Sequence, residues 1–249
     1  MVSRYFIHMA YDGSKYCGWQ IQANEATVQQ VLEHTLSTLL GRETSVTGAG
    51  RTDTGVHASH FIAHFDLLSS ISDPSSDQFV FKLNRFLPPD IVVYKIVSVP
   101  AEMHARFSAT YRTYHYHIST IKPLYTRNYS LYVYGELDTE SIGECCQVIL
   151  ETTDFTSFAK LHADVKTNIC RPTRAIWKKV ENGYVFEITA DRFLRNMVRS
   201  ITGTLLDVGR GKLDIEGFKE IVDAKDRRKA GSSAPAKGLF LVDIGYPDY

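Results

Sequence analysis

"TRAIWKKVENGYVFEITA", residues 173–190, reads as two β-strands folded back on each other about Asn182-Gly183. An Asn-Gly pair flanked by apolar and aromatic runs is a strong short-range hairpin signal, so these strands are expected to pair antiparallel. Working upstream, "RTYHYHIST" at 112–120 alternates and reads as a strand, and residues 139–150 carry a helical pattern. Working downstream, "DRFLRNMVRSITGTLLDVG" at 191–209 reads as a helix with Asp191 as its cap, and "GLFLVDIGY" at 238–246 closes as a strand. Hairpin-joined strands interrupted by helices imply an α+β fold.

An earlier run of elements has the same outline. "YFIHMAYDG", 5–13, is a strand ending in an Asp-Gly turn. "TVQQVLEHTLSTLLG", 27–41, is an amphipathic helix with Val28, Val31, Leu32, Leu36, Leu39 and Leu40 on its apolar stripe, Thr27 as cap and Gly41 as stop. "SVTGAG" rises into a glycine-rich loop. "ASHFIAHFD", 58–66, alternates with Phe61, Ala63 and Phe65 on one face and His60, Ile62 and His64 on the other. "DIVVYKIVSV", 90–99, is a further strand after Pro88-Pro89. The break between the runs falls near Pro100 to Ala105, giving an N-terminal half over 1–103 and a C-terminal half over 104–249. No residue-level repeat and no low-complexity segment occurs.

The composition is that of a globular chain, with 44% hydrophobic and 22% charged residues. No apolar run is long enough to span a bilayer. "MVSRYFIHMAYDG" has no apolar core followed by a cleavage site, so a cytoplasmic location is expected. Cys17, Cys145, Cys146 and Cys170 form no C-x-x-C pair and are expected as reduced, buried thiols. The 28 basic and 28 acidic residues cancel, but they are segregated. Residues 104–128 carry four basic side chains and no acid, whereas 133–164 carry seven acids and one lysine. Residues 165–212 hold ten basic and four acidic side chains. Segregated charge builds a positive face on a neutral molecule, or simply solvates opposite faces.

"GAGRTDTGVHA", 48–58, is the candidate chemical loop. It lacks the Gly-Lys-Ser/Thr ending of a P-loop, and Asp53 stands where a dinucleotide fingerprint needs its third glycine. Asp53-Thr54-Gly55 looks like an aspartic protease half-site. That chemistry needs two carboxylates sharing a proton, and Arg51 beside the acid opposes it. An acid kept ionised by Arg51 suits nucleophilic attack on an electrophilic carbon, with a loop salt bridge as the plain alternative. Arg192, Arg195 and Arg199 fall at i, i+3 and i+7, one stripe of the expected helix, opposite Leu194, Met197, Val198, Ile201 and Leu205. Such a row suits phosphate recognition or a solvated face. In "ARFSATYRTYHYH", Arg112, Tyr114 and Tyr116 share a strand face, so a tyrosine there stacks an unpaired base or fills a core. His57, His60, His64, His115 and His117 lack a ligand pattern and are expected to be satisfied or surface histidines; no metal is expected.

Taken together, "YDGSKYCGWQ", "TVQQVLEHTL", "GAGRTDTGVHA", "HARFSATYRTYHY", "DFTSF", "FLRNMVRSITGTLLDVGRGKL" and "APAKGLFLV" follow the order found in one family. The chain resembles the tRNA pseudouridine synthase A family over nearly its whole length. The resemblance implies isomerisation of uridine to pseudouridine in the tRNA anticodon stem-loop, at tRNA positions 38, 39 and 40, without a cofactor. It makes Asp53 the catalytic acid and Arg51 the loop arginine that helps displace the target nucleotide. Tyr114 becomes the tyrosine packed on the uracil, Arg199 the partner of the acid, and Leu239 an apolar pocket residue. Arg112 and Arg195 are further expected substrate contacts. The family architecture implied is two similar α/β halves joined through a combined, mainly antiparallel sheet with a central RNA-binding cleft, in a homodimer that binds tRNA. Thr54 stands where the family commonly has Ala.

Overall fold

The computed structural model describes residues 2–68, 73–160 and 167–248. Part of the acidic stretch 133–164 and the start of the basic stretch 165–212 lie outside the described residues. The chain forms two compact units, one of Met1–Thr110 with Leu241–Tyr249 and the other of Tyr111–Phe240.

The first unit holds β1 (Val2–Tyr11), α1 (Val28–Leu40), β2 (Thr47–Gly48), β3 (His57–Leu68), α2 (Asp77–Phe86) and β4 (Ile91–Val99). β1 pairs antiparallel with both β3 and β4, and β2 adds antiparallel to β3. α1 forms where its apolar spacing predicts. The Thr27 side chain accepts from the Gln30 N–H, and Gly41 leaves the helix at φ 64°. Val28, Leu32 and Leu36 are buried, whereas Val31, Leu39 and Leu40 are half-buried, so the working stripe is narrower than the sequence suggests. Each fully buried Leu or Val stabilises the unit by about 1.5–3 kcal/mol.

β3 is not one-sided. Phe61, Ile62, Ala63, His64 and Phe65 are all buried, because the chain after β4 returns over the second face. The Ala105 N–H donates to His64 Nδ1 at 3.1 Å, the Tyr246 hydroxyl donates to the Ala105 carbonyl at 2.5 Å, and the Tyr246 ring packs on Phe6 at 5.1 Å. These contacts hold Ala105 and Tyr246 on the first unit, which takes in 104–110 and the described residues from Leu241 on, beyond the 1–103 half expected from sequence.

The second unit holds β5 (Tyr111–Ser119), β6 (Leu131–Tyr132), α3 (Thr139–Glu151), β7 (Pro172–Val180), β8 (Gly183–Ala190), α4 (Met197–Gly209) and α5 (Ile215–Ala224). The final strand, β9 (Leu239–Gly245), begins in this unit. β8 pairs antiparallel with both β5 and β7, and the short β6 adds parallel to β5. Nine mostly antiparallel strands and five α-helices among the described residues make the fold α+β. None of these helices is long and apolar enough to cross a membrane.

The hairpin forms, with Val180 opposite Gly183. Gly183, however, lies in the strand at φ 152°, opposite Ser119, and a Cβ there would sit 2.1 Å from the Ile118 carbonyl oxygen. The glycine serves the close approach of β5 rather than the turn. The stretch 191–209 departs further from expectation. Its helix starts only at Met197, after Asn196 in the left-handed region at φ 65°. Asp191 Oδ1 accepts from the N–H groups of Arg171 and Arg192, so it ties the segment to the β7 side instead of capping a helix. The expected arginine stripe therefore does not exist: Arg192 and Arg195 precede α4, and only Arg199 lies on it. α4 is buried on nearly every side, including Ser200, Thr202, Gly203 and Thr204.

Of the four free cysteines, three are buried; burial pushes the Cys145 thiol up to about 11 and those of Cys146 and Cys170 to about 12. Cys17 is only half-buried and donates to Glu25.

Candidate active site

Residues 11–19 form a cradle beneath the loop that carries Asp53. Asp12 caps a short 3-10 turn over Gly13–Lys15 by accepting from the Ser14 N–H. Tyr16 and Lys15 both reach Asp90, the hydroxyl donating at 2.5 Å and the ammonium at 3.1 Å, which pins the turn to the residue before β4. The loop is then gripped at successive backbone points. The Trp19 N–H donates to the Thr52 carbonyl, the Gly55 N–H donates to the Tyr16 carbonyl, and the Thr52 hydroxyl meets the Tyr11 hydroxyl at 2.9 Å. Two glycines make the grip possible. A Cβ on Gly18, at φ 82°, would lie 2.2 Å from the Thr52 oxygen, and one on Gly13 would lie 2.0 Å from the Val56 oxygen. Trp19 completes the floor by packing on Phe61, the ring centroids 4.2 Å apart and the planes tilted by 30°.

Asp53, Thr54 and Gly55 make a turn closed by the Val56 N–H on the Asp53 carbonyl at 3.1 Å, with Gly55 at φ 76°. The protease-like triplet is thus a gripped turn and not the end of an apolar strand. Arg51 and Thr54 are exposed and Asp53 is half-buried. A backbone held at Thr52, Gly55 and Val56 presents the Asp53 carboxylate in a restricted geometry, which is what a group that attacks or shuttles a proton requires.

The remaining sequence-selected residues belong to the second unit. Tyr114 on β5 is half-buried, and its ring meets Phe193 edge to face at 5.1 Å. Tyr116 is fully buried and donates its hydroxyl to the Pro235 carbonyl at 2.7 Å, so it is a core residue and not a stacking platform. Burial also pushes its hydroxyl pKa well above the ordinary tyrosine value. Arg112 donates to the Asp191 carbonyl at 2.9 Å, which makes it a brace for the segment that carries Phe193. Arg199 donates its Nε–H to the Ala234 carbonyl at 2.8 Å, while the Ala234 N–H returns to the Arg199 carbonyl at 2.9 Å. Leu239 is buried at the end of a 3-10 turn over Ala236–Gly238, and Gly238 fits against the Tyr116 ring. Arg195 is exposed.

Phe193, Ala234 and Pro235 were not singled out by sequence reading, nor were Tyr11, Gly13, Gly18 and Trp19. Glycines flanking an aromatic, as in "YCGWQ", were the available sign of a close backbone approach. The histidines take structural places. His57 and His64 are buried on backbone N–H donors, His60 lies 3.4 Å from both His8 and Asp243, and His115 lies 3.5 Å from Glu187. Among the described residues no group of three or more His, Cys, Asp or Glu is placed to hold a metal ion.

A sequence model of the tRNA pseudouridine synthase family matches residues 7–108 and 149–247, spanning the gripped loop, α4 and β9. A protein of Bacteroides thetaiotaomicron named tRNA pseudouridine synthase A is 53% identical over 99% of this chain and 92% of its own length. Relatives of the same name from Parabacteroides distasonis and Porphyromonas gingivalis are 52% and 48% identical, over 98% and 99% of this chain and 96% and 98% of their own. A loop gripped around an Arg-Thr-Asp turn, in a chain matched nearly end to end, settles the classification: the chain belongs to the tRNA pseudouridine synthase A family of isomerases.

Proposed function

We propose that the protein converts uridine to pseudouridine in the tRNA anticodon stem-loop, at tRNA positions 38, 39 and 40, with Asp53 as the catalytic residue. The observation that carries this reading is the Asp53 turn itself, gripped by backbone on both sides with its acid half-exposed and Arg51 exposed two residues before it. The reaction breaks the C1′–N1 bond, forms a C1′–C5 bond, removes the proton from C5 and leaves one on N1. Atoms and electrons balance within the nucleoside, so no cofactor is required. Asp53 attacks C1′ or C6, or removes a proton from C2′; Asp53 or Tyr114 accepts the C5 proton. The target base must leave its stack, at a cost of a few kcal/mol. Arg51 helps displace it, Tyr114 packs on the freed uracil, Leu239 lines the pocket and Arg195 holds phosphate. Arg112, engaged with Asp191, acts on the substrate through the segment it braces. Arg199 pairs with the acid.

The acting species in this reading is a cytoplasmic homodimer. Ile121, Leu124, Tyr125 and Tyr134 are each more than half exposed on the second unit and supply apolar surface for association.

The test is a modification map. An unmodified anticodon-arm transcript is incubated with the protein, and pseudouridine is located chemically. Product confined to tRNA positions 38–40 supports the reading; product elsewhere, or none, overturns it.

Arg199→Ala lowers kcat by about 10²-fold, because the guanidinium that holds the acid is lost, and changes tRNA affinity by less than about threefold. Equal losses in kcat and affinity, compared by single-turnover kinetics and filter binding, would reassign Arg199 to RNA contact.

A further inference from the structure

We propose that Asp12 and His57 are positioning residues for this reaction, forming a joint that sets the register of the Asp53 turn against its cradle. The proposal rests on the reading of Asp53 as the catalytic residue. His57 is the first residue of β3 and only 1% exposed, and it follows Asp53 by four positions. Its Nδ1 lies 3.0 Å from Asp12 Oδ1 and 3.2 Å from the Gly13 nitrogen. One ring nitrogen carries either a proton or a lone pair. With the proton it donates to the Asp12 carboxylate; without it, it accepts from the Gly13 N–H. Either way the imidazole is joined to the turn at residues 12–13, through Asp12 when Nδ1 carries the proton and through Gly13 when it does not.

The joint has little slack. Asp12 is itself fixed, because the same Oδ1 accepts from the Ser14 N–H at 2.9 Å. Gly13 touches the Val56 carbonyl so closely that no Cβ fits between them, and Gly18 does the same at the Thr52 carbonyl. Asp53 lies between these two contact points. The Val56 N–H closes the Asp53 turn. A shift of His57 relative to Asp12 and Gly13 therefore moves Val56, and with it the end of the turn that presents the acid. Displacements of about 1 Å at a reacting group cost up to about 10²-fold in rate. The grip made by Tyr16 and Trp19 on Gly55 and Thr52 holds the loop in place; the His57 joint sets how far the turn is rotated.

The experiment uses the full chain and an anticodon-arm tRNA transcript, with kcat, KM and melting temperature measured for each variant. His57→Leu removes the imidazole nitrogen that faces Asp12 and Gly13. His57→Asn restores a side-chain amide where Nδ1 stood, whereas His57→Gln places it nearer Nε2. The expected result is a kcat lowered about tenfold or more in His57→Leu and His57→Gln, with KM within about twofold, and a kcat in His57→Asn within about threefold of wild type. Wild-type kcat in His57→Leu, or an Asn variant as slow as the Leu variant, overturns the proposal. Should the His57 variants not fold, Asp12→Ala decides, since Asp12 is partly exposed. A kcat loss of about fivefold or more at unchanged KM supports the joint, and wild-type kcat overturns it. The underlying reading fails separately. Asp53→Asn retaining activity removes the catalytic assignment, whereas an Asp53-dependent enzyme indifferent to His57 and Asp12 removes only this inference.

Discussion

Asp53→Asn lowers pseudouridine formation by about 10³-fold or more while leaving tRNA affinity within about threefold of wild type. The substitution exchanges one oxygen for an amide nitrogen of the same size. The turn survives it, because the bond that closes the turn comes from the Val56 N–H to the Asp53 backbone carbonyl and does not involve the side chain. The grips at Thr52 and Gly55 likewise do not use the Asp53 side chain. What disappears is the negative charge and the basicity. A neutral amide is neither a nucleophile toward C1′ or C6 nor a base toward a ribose or C5 proton, so all of the covalent routes lose their agent together. Binding is expected to persist because the proposed phosphate and base contacts come from other side chains. The measurement is single-turnover formation of pseudouridine on an unmodified transcript, with affinity from filter binding at fixed salt, since salt changes polyanion affinity by orders of magnitude. A variant retaining a tenth or more of the wild-type rate would show that the acid orients the loop or the substrate and is not the chemical group.

How much of this was legible in the sequence depends on the length scale over which each feature is set. α1 was readable to the residue at both ends, because its cap Thr27 and its stop Gly41 act within one turn of the chain. The 173–190 hairpin was readable for the same reason, although the role of Gly183 was not: its partner is Ile118 on another strand, 65 positions away in the chain. The α4 start was misplaced because Asp191, a plausible cap by type, spends its carboxylate on Arg171 and Arg192 instead. A periodic pattern with arginines on one side then suggested a half-exposed helix, whereas α4 is buried almost all round and its first turn begins at Met197. α2 and α5 went unread because each buries few side chains; α2 buries only Leu83 and leaves Phe81 and Phe86 exposed. At the site, the acid and its neighbouring arginine were visible as an unusual pair in a glycine-rich loop. The cradle was not, since Gly13 and Gly18 are recognisable as necessary only once the Val56 and Thr52 carbonyls are placed against them. Tyr116 shows the converse limit. It shares a strand face with Tyr114, yet one is fully buried on the Pro235 carbonyl and the other half-buried against Phe193, a difference set by residues far along the chain.

Gly203→Ala destabilises the second unit by about 3 kcal/mol net and slows catalysis through Arg199. Gly203 lies in the buried middle of α4, where a Cβ would come 1.8 Å from the Ser232 carbonyl oxygen. The obstacle is backbone, so no side chain can turn aside to relieve it. The 231–234 segment is also fastened to the helix on either side of the clash. The Gly231 N–H donates to the Thr204 hydroxyl at 3.0 Å, the Ala234 N–H donates to the Arg199 carbonyl, and Arg199 Nε–H donates to the Ala234 carbonyl. Seating a methyl group at ordinary van der Waals distance forces this segment outward and breaks or lengthens those bonds. Overpacking costs about 1–3 kcal/mol, and each buried polar group left without its partner costs about 1–3 kcal/mol more. The helix propensity gained by replacing glycine with alanine returns only about 1 kcal/mol, which is too little to offset them. A net loss of about 3 kcal/mol lowers the melting temperature by about 6–12 °C in a chain of this size. Calorimetry reads that shift directly, and an unchanged melting temperature would mean that 231–234 yields freely. The kinetic consequence separates the two roles of the segment. If the Ala234 carbonyl fixes the Arg199 guanidinium, kcat measured well below the melting transition falls as well, in the direction of Arg199→Ala, while tRNA affinity holds.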